Sequence, residues 1–155
     1  MKTDGSWIDI EFKEYYINSA KQTGLRLFFQ KDCSQFIKNE VHKYVKFLKK
    51  RYYFPIKCNI HFRNQEKFHS YDQKGYTYGI FFEGENEKKT YPSIYIPIAG
   101  YNENECDEIL YNLTILLTYY FQWYFMYDEK DLSKELENEA KIYADYLVYK
   151  YRENK

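Results

Sequence analysis

From Ile37 onward the apolar residues fall into step. Ile37, Val41, Val45, Leu48 and Tyr52 recur every three or four positions, the spacing that lines one side of an α-helix. Lys38, His42, Lys46 and Lys49 fall on the other side. Asp32 or Ser34 can cap this helix, and Pro55 stops it, because the residue before a proline avoids the helical conformation. The period then changes. Residues 56–62 (IKCNIHF) alternate apolar and polar and predict a strand. Residues 75–83 (GYTYGIFFE) predict a second strand and residues 93–99 (SIYIPIA) a third, with the polar turn GENEKK between them. Pro97 has no N–H to give a neighbour, so the third strand is expected at a sheet edge or with an irregular end.

The helical period returns near Cys106. The acid-rich NENECDE (residues 102–108) lacks the glycine and ligand spacing of a calcium loop. It reads as a helix start, where carboxylates complement the dipole. The helix runs to about Met126, and its stretch LTILLTYYFQW (residues 113–123) is apolar on nearly every side. Asn112, Thr114, Thr118 and Gln122 interrupt it, and acids flank both ends without a Lys or Arg bias. A buried central helix is therefore expected rather than a membrane span. A last helix is expected from about Asp131 to Tyr151, with the stripe Leu136, Ala140, Tyr143, Ala144, Leu147 and Tyr151. At the start of the chain, EFKEYYINSAKQ suggests a short helix and LRLFF a short strand.

The order is helix, three strands, helix, helix. It predicts an α+β fold, with a small three- or four-stranded sheet packed against helices, a central buried helix and a C-terminal helix. One globular domain suits 155 residues. Within it, residues 1–33 form an N-terminal arm of unassigned structure and 34–155 the folded body.

Charge changes this picture little. The 23 basic and 23 acidic residues cancel, which argues against a nonspecific nucleic-acid binder. The run KFLKKR (residues 46–51), with Tyr52 and Tyr53 beside it, is read as a solvated helix face, and a nucleic-acid-binding domain is kept as the weakest alternative. Cys33, Cys58 and Cys106 make no CxxC pair, and the first residues contain no apolar leader. Both features fit reduced thiols in the cytoplasm. Twenty tyrosines and twelve phenylalanines exceed what so short a chain can bury. Either some aromatic surface serves an interface, or an AT-rich genome has raised the Tyr count.

Two words carry a resemblance. They are ILLTYYFQW at residues 115–123 and ENEAKIYA at residues 137–144. With the element order over about residues 34–152, they resemble the small gluzincin-type zincin metallopeptidases, including minigluzincins and ImmA/IrrE-like proteins. In that group the helix after the third strand carries HExxH, often continuing as HELTHYFQW, and the next helix carries ExxAxxYA. Position by position, the first histidine falls on Ile115, the glutamate on Leu116 and the second histidine on Tyr119. The third ligand falls on Glu137, which is retained.

That pattern decides the chemistry. Two ligands at i and i+4 lie about 40° apart on one helix face and can grip one ion. A catalytic zinc needs three protein ligands and an open site for water. Ile115 has no lone pair, neutral Tyr119 is a poor ligand, and Leu116 cannot take a proton from water. The resemblance therefore implies a pseudoenzyme without metal or cofactor, acting on a protein partner. A regulatory or inhibitory role, as in a phage or mobile element, would suit it. Tyr95 on the third strand, with Tyr120 and Trp123 beside the vestigial positions, are the candidate partner contacts. In the related peptidases the strand matching SIYIPIA binds extended substrate by β-addition; here that edge is either open or covered by residues 1–30. Glu137 either accepts a hydrogen bond from Tyr119, filling the former metal space, or is simply solvated.

The alternative is a divergent metal-dependent peptidase with unrecognised ligands. His42 lies on a polar helix side, His69 in a polar loop, and Cys58 and His61 are sent to opposite faces of a strand. No GxSxG or glycine-rich phosphate loop is present.

Overall fold

In the computed structural model, residues 24–66, 68–69, 76–84, 90–124 and 133–153 are described. The EFKEYYINSAKQ segment and most of the GENEKK turn lie outside them, as do the side chains of His69 and Leu136.

LRLFF forms strand β1, Leu25–Phe29, and leads into helix α1, Gln35–Arg51. Ser34 is the cap: its hydroxyl accepts the Ile37 N–H at 3.3 Å, satisfying one of the orphan donors of the first turn. Asp32 instead turns the chain, with φ at 72°. The predicted apolar side of α1 is the buried one, and it also carries Tyr44 and Glu40 inward. Strand β2, Cys58–Arg63, follows, and its residues alternate between buried and half-buried as a period of two requires.

The segment expected as one strand over residues 75–83 is two. Tyr76–Thr77 (β4) pairs antiparallel with Phe68–His69 (β3), while Ile80–Phe82 (β5) joins the main sheet. The break falls at Tyr78 and Gly79. A Cβ on Gly79 would stand 2.4 Å from Cδ1 of Leu116, so glycine lets the backbone pass that side chain without displacing it. Strand β6, Ser93–Pro97, completes a sheet of order β1-β2-β6-β5. β1, β2 and β6 run parallel and β5 antiparallel.

Two expectations are corrected here. β6 is interior, bonded to β2 on one side and β5 on the other. The edges of the four-stranded sheet are β1 and β5. Pro97 is tolerated because β5 reaches only to Tyr95 along β6, so the missing N–H falls at the strand's end. And β1, assigned to the N-terminal arm, is an integral strand in register with β2 from Leu25↔Cys58 to Phe29↔Phe62, so residue 33 is not a border of the sheet.

After β6, Asn102 caps a short 3-10 turn, Glu103–Glu105, in a reciprocal box with Glu105. The acid-rich stretch is thus a helix start, as expected. It opens into α2, Cys106–Tyr124, and the chain ends in α3, Ser133–Glu153. Among the described residues these helices cover one face of the sheet. Cys58, Ile60, Phe62, Ile94 and Ile96 point into that interface and are wholly buried, in one cluster with the inward residues of α1, α2 and α3. Each such side chain contributes about 1.5–3 kcal/mol. The predicted stripe of α3 is confirmed at Ala140, Tyr143, Ala144, Leu147 and Tyr151. No helix of the described residues is long and apolar enough to cross a membrane.

The polar groups of α2 that enter this core are matched. Thr114 and Thr118 donate to the carbonyls of Leu110 and Thr114, at 2.8 and 2.9 Å. Tyr44 of α1 is hydrogen-bonded to the Thr114 hydroxyl. Arg152, near the end of α3, bonds Asp107 of α2 at 2.8 Å and Glu40 of α1 at 3.1 Å, pinning three helices at one corner.

Candidate functional site

Helix α2 is not equally buried all round. Glu108, Tyr111, Asn112, Ile115, Tyr119 and Trp123 step by three or four residues and are exposed or half-buried. They form one outward stripe, flanked by α3. The vestigial positions lie on or beside it. Ile115 and Tyr119 are one turn apart on the stripe, and Leu116 turns toward the sheet, 4% exposed, against Gly79 at the entry to β5.

Glu137 sits in the first turns of α3, one turn before the buried Ala140. Its side chain is 56% exposed and pairs with Lys141 at 4.0 Å. Burial, and then the Glu137 charge, raise the pKa of the Tyr119 hydroxyl above the ordinary phenol value. The two groups therefore share a neighbourhood. No hydrogen bond joins them among the described residues, so the expected Tyr119–Glu137 bond gives way to the solvated reading. An exposed carboxylate is hydrated and needs no buried donor.

A polar bond near this point does cross from α2 to α3, one turn further on. Gln122 Nε2 donates to Glu139 Oε1 at 2.7 Å, with Gln122 only 6% exposed. The sequence signal for it was a lone glutamine in a greasy helix facing an acid-rich helix start.

The candidate partner contacts separate. Tyr120 is a correction: it is wholly buried, donates to the Ile56 carbonyl at 2.6 Å and accepts the Ile56 N–H at 2.9 Å. It fastens the segment before β2 to α2 and offers nothing to a partner. Trp123 is half-buried, its ring centroid 6.1 Å from those of Phe81 and Tyr120. Tyr95 lies on the sheet face opposite the helices, stacked on His61 at 4.5 Å, with Phe28 stacked on the far side of His61 at 5.0 Å. A shallow cavity of about 410 Å³ adjoins Tyr95, between Arg63, Ile80 and Phe82.

The remaining candidates for metal chemistry stay apart. Cys58 is wholly buried on the helix side of β2, and its thiol is pushed up by burial. His61 is on the other face, held below its ordinary value first by burial and then by Arg63. His42 is exposed beside Phe29. Among the described residues no three His, Cys, Asp or Glu side chains converge on a point where an ion could sit. With Ile115 and Leu116 offering no donor atoms, the side chains at the vestigial positions do not fit a zinc ion.

A larger feature, absent from the sequence reading, lies at the N-terminal end of the same stripe. A cleft of about 910 Å³ opens where the first half of α2, the second half of α3 and the chain before β5 and after β6 meet. Tyr78, Tyr101, Tyr111 and Tyr149 stand around it, with Val148 between them. Glu66, Asp107, Glu108 and Asp145 line it too, and among the described lining residues the one cation is Arg152. Burial raises the Tyr101 hydroxyl, against the Asn112 side-chain amide that donates to it at 3.3 Å, and Glu108 raises it further. Tyr111 is raised by burial and then by Asp145. The negative field thus reaches the rings from both helices. The residues brought together this way come from five separate segments, which no short sequence word could reveal.

Comparison with protein-family models, curated proteins and solved structures finds no match to this chain.

Proposed function

We propose that this protein is a non-catalytic module with a zincin-like layout that works by binding another protein in the cytoplasm, in a regulatory or inhibitory role. The observation that carries this reading is Leu116. At the position where the resemblance would put a catalytic glutamate, an aliphatic side chain packs against Gly79 at the edge of the sheet. A water-activating carboxylate there is replaced by ordinary packing, worth about 1.5–3 kcal/mol when buried. Ile115 and Tyr119 keep the helix face and the i, i+4 spacing without imidazole donors. The strand matched to the peptide-binding strand, β6, is interior here, so the antiparallel edge beside α2 that an extended chain could pair with belongs to β5.

Zinc content tests it. The native protein, purified without chelator and measured by atomic emission, is expected to hold no stoichiometric zinc. The triple variant Ile115→His, Leu116→Glu, Tyr119→His restores two imidazoles and a general base on one helix face. It is expected to take up one zinc per chain, using Glu137 as third ligand. Stoichiometric zinc in the native protein overturns the non-catalytic reading. A folded triple variant that ignores zinc overturns the assignment of these positions to a former metal site.

A further inference from the structure

The cleft between α2 and α3 is walled by tyrosine rings and its charge is unbalanced. Arg152 is already engaged by Asp107 and Glu40. The other three carboxylates on the lining, Glu66, Glu108 and Asp145, have no ion-pair partner among the described residues. They project from three different segments around one space. In a protein of zero formal net charge, three carboxylates without an ion pair among the described residues, set around one concavity, make a local negative field that walls of lower dielectric focus.

We infer that this cleft is the docking groove for a lysine- or arginine-bearing segment of a partner protein. The inference rests on the protein-binding reading above and names the chemistry of the partner. Tyrosine faces attract ammonium and guanidinium groups, and the aliphatic stems of lysine and arginine can lie along Val148 and the ring bodies while their heads reach the carboxylates. The size suits a stretch of chain. From Asp145 to Arg152 the α3 wall runs roughly 10 Å at 1.5 Å per residue, and about 910 Å³ is near the upper end of small-molecule pockets. Glu66, Glu108 and Asp145 stand on three different segments and do not converge as a metal site would, so two or three basic side chains spaced along an extended segment suit them better than one small ion.

The experiment uses the full chain and a fluorescent lysine octapeptide, followed by anisotropy at low and at physiological salt. Saturable binding that weakens with salt is expected, with no binding of a glutamate octapeptide. The double variant Glu108→Gln, Asp145→Asn keeps shape and removes two charges from exposed positions. Its affinity is expected to fall about tenfold or more, which is about 1.4 kcal/mol. Tyr149→Ala is expected to weaken binding about two- to fivefold through the lost ring, while Glu137→Gln, outside the cleft, leaves it unchanged. Absence of saturable binding overturns the inference, as does binding indifferent to the double variant. Spermine competing as well as the peptide does, charge for charge, also overturns it, in favour of a small polyamine site. None of these outcomes touches the zinc measurement, so the cleft and the non-catalytic reading fail separately.

Discussion

The two sides of α2 are built to different rules. Inward, Leu110, Leu113, Leu117 and Phe121 are at most 1% exposed, and the polar groups among them are matched: Thr114 with Tyr44, Tyr120 with both main-chain groups of Ile56. Outward, Tyr111, Ile115, Tyr119 and Trp123 run half-buried along the helix, and the Tyr119 hydroxyl has no hydrogen-bond partner among the described residues. One side is tied to the rest of the fold by bonds that reach across the chain. The other is surface that the fold can lend to binding. A helix of uniform greasiness in sequence therefore divides into a half that specifies the structure and a half that is free to change.

The largest effect belongs on the inward side. Tyr120→Ala removes a fully buried ring and is expected to cost about 3–5 kcal/mol, read as a loss in the urea midpoint. Tyr120→Phe isolates the hydroxyl. It strands the N–H and the carbonyl of Ile56, and is expected to cost about 1–3 kcal/mol. A second readout is pH. Burial holds the Tyr120 hydroxyl well above the ordinary value, whereas the unfolded side chain gives up its proton near about pH 10. Its contribution is fully present below that pH and is lost as pH rises beyond it. The Tyr120→Phe variant is expected to lose less stability over the same alkaline range. A Phe variant as stable as the parent would erase the distinction between the two sides.

Leu116 lies at the boundary between them, and its partner Gly79 offers a sharper probe. Gly79→Ala places a methyl 2.4 Å from Leu116 Cδ1 and is expected to cost about 1–3 kcal/mol by overpacking. The leucine tip can yield, which keeps the cost from rising further. Combining it with Leu116→Ala opens room for the new methyl, so the double variant is expected to be more stable than the sum of the two singles by about 1 kcal/mol. Strict additivity would mean that Leu116 does not fill the space beside β5, and the packing observation behind the proposed non-catalytic reading would go with it.

How much of this was legible beforehand follows from which forces are local. The three helices were, because Ile37, Val41, Val45 and Leu48, or Ala140, Tyr143, Ala144 and Leu147, report a period that neighbouring residues set by themselves. The alternation at Cys58–Arg63 was legible for the same reason. Strand order was not: whether β6 is an edge or a centre depends on β5 and β2, which meet it from different parts of the chain. Gly79 broke the expected strand because of Leu116, thirty-seven residues later. Tyr120 was misjudged as a surface contact because a helix apolar all round gives no phase from which to tell inside from outside. Glu137 sat at the edge of its stripe, where the fray of the helix start decides between core and water. The acidic cleft needed five segments in place before it existed at all.

The smallest expected effect completes the comparison, since it uses the neighbouring residue and the same substitution. Tyr119→Phe removes a hydroxyl from the outward stripe. That hydroxyl meets the field of Glu137 but no hydrogen-bond partner among the described residues, and Glu137 itself is engaged with Lys141 and water. The expected change is within about 0.5 kcal/mol, the usual range for surface substitutions. Set against Tyr120→Phe, one residue along, the two hydroxyls are expected to differ by at least about 1 kcal/mol in the same urea experiment. If Tyr119→Phe costs as much as its neighbour, the Tyr119 hydroxyl is bonded after all. The stripe would then be a structural seam and not a free surface.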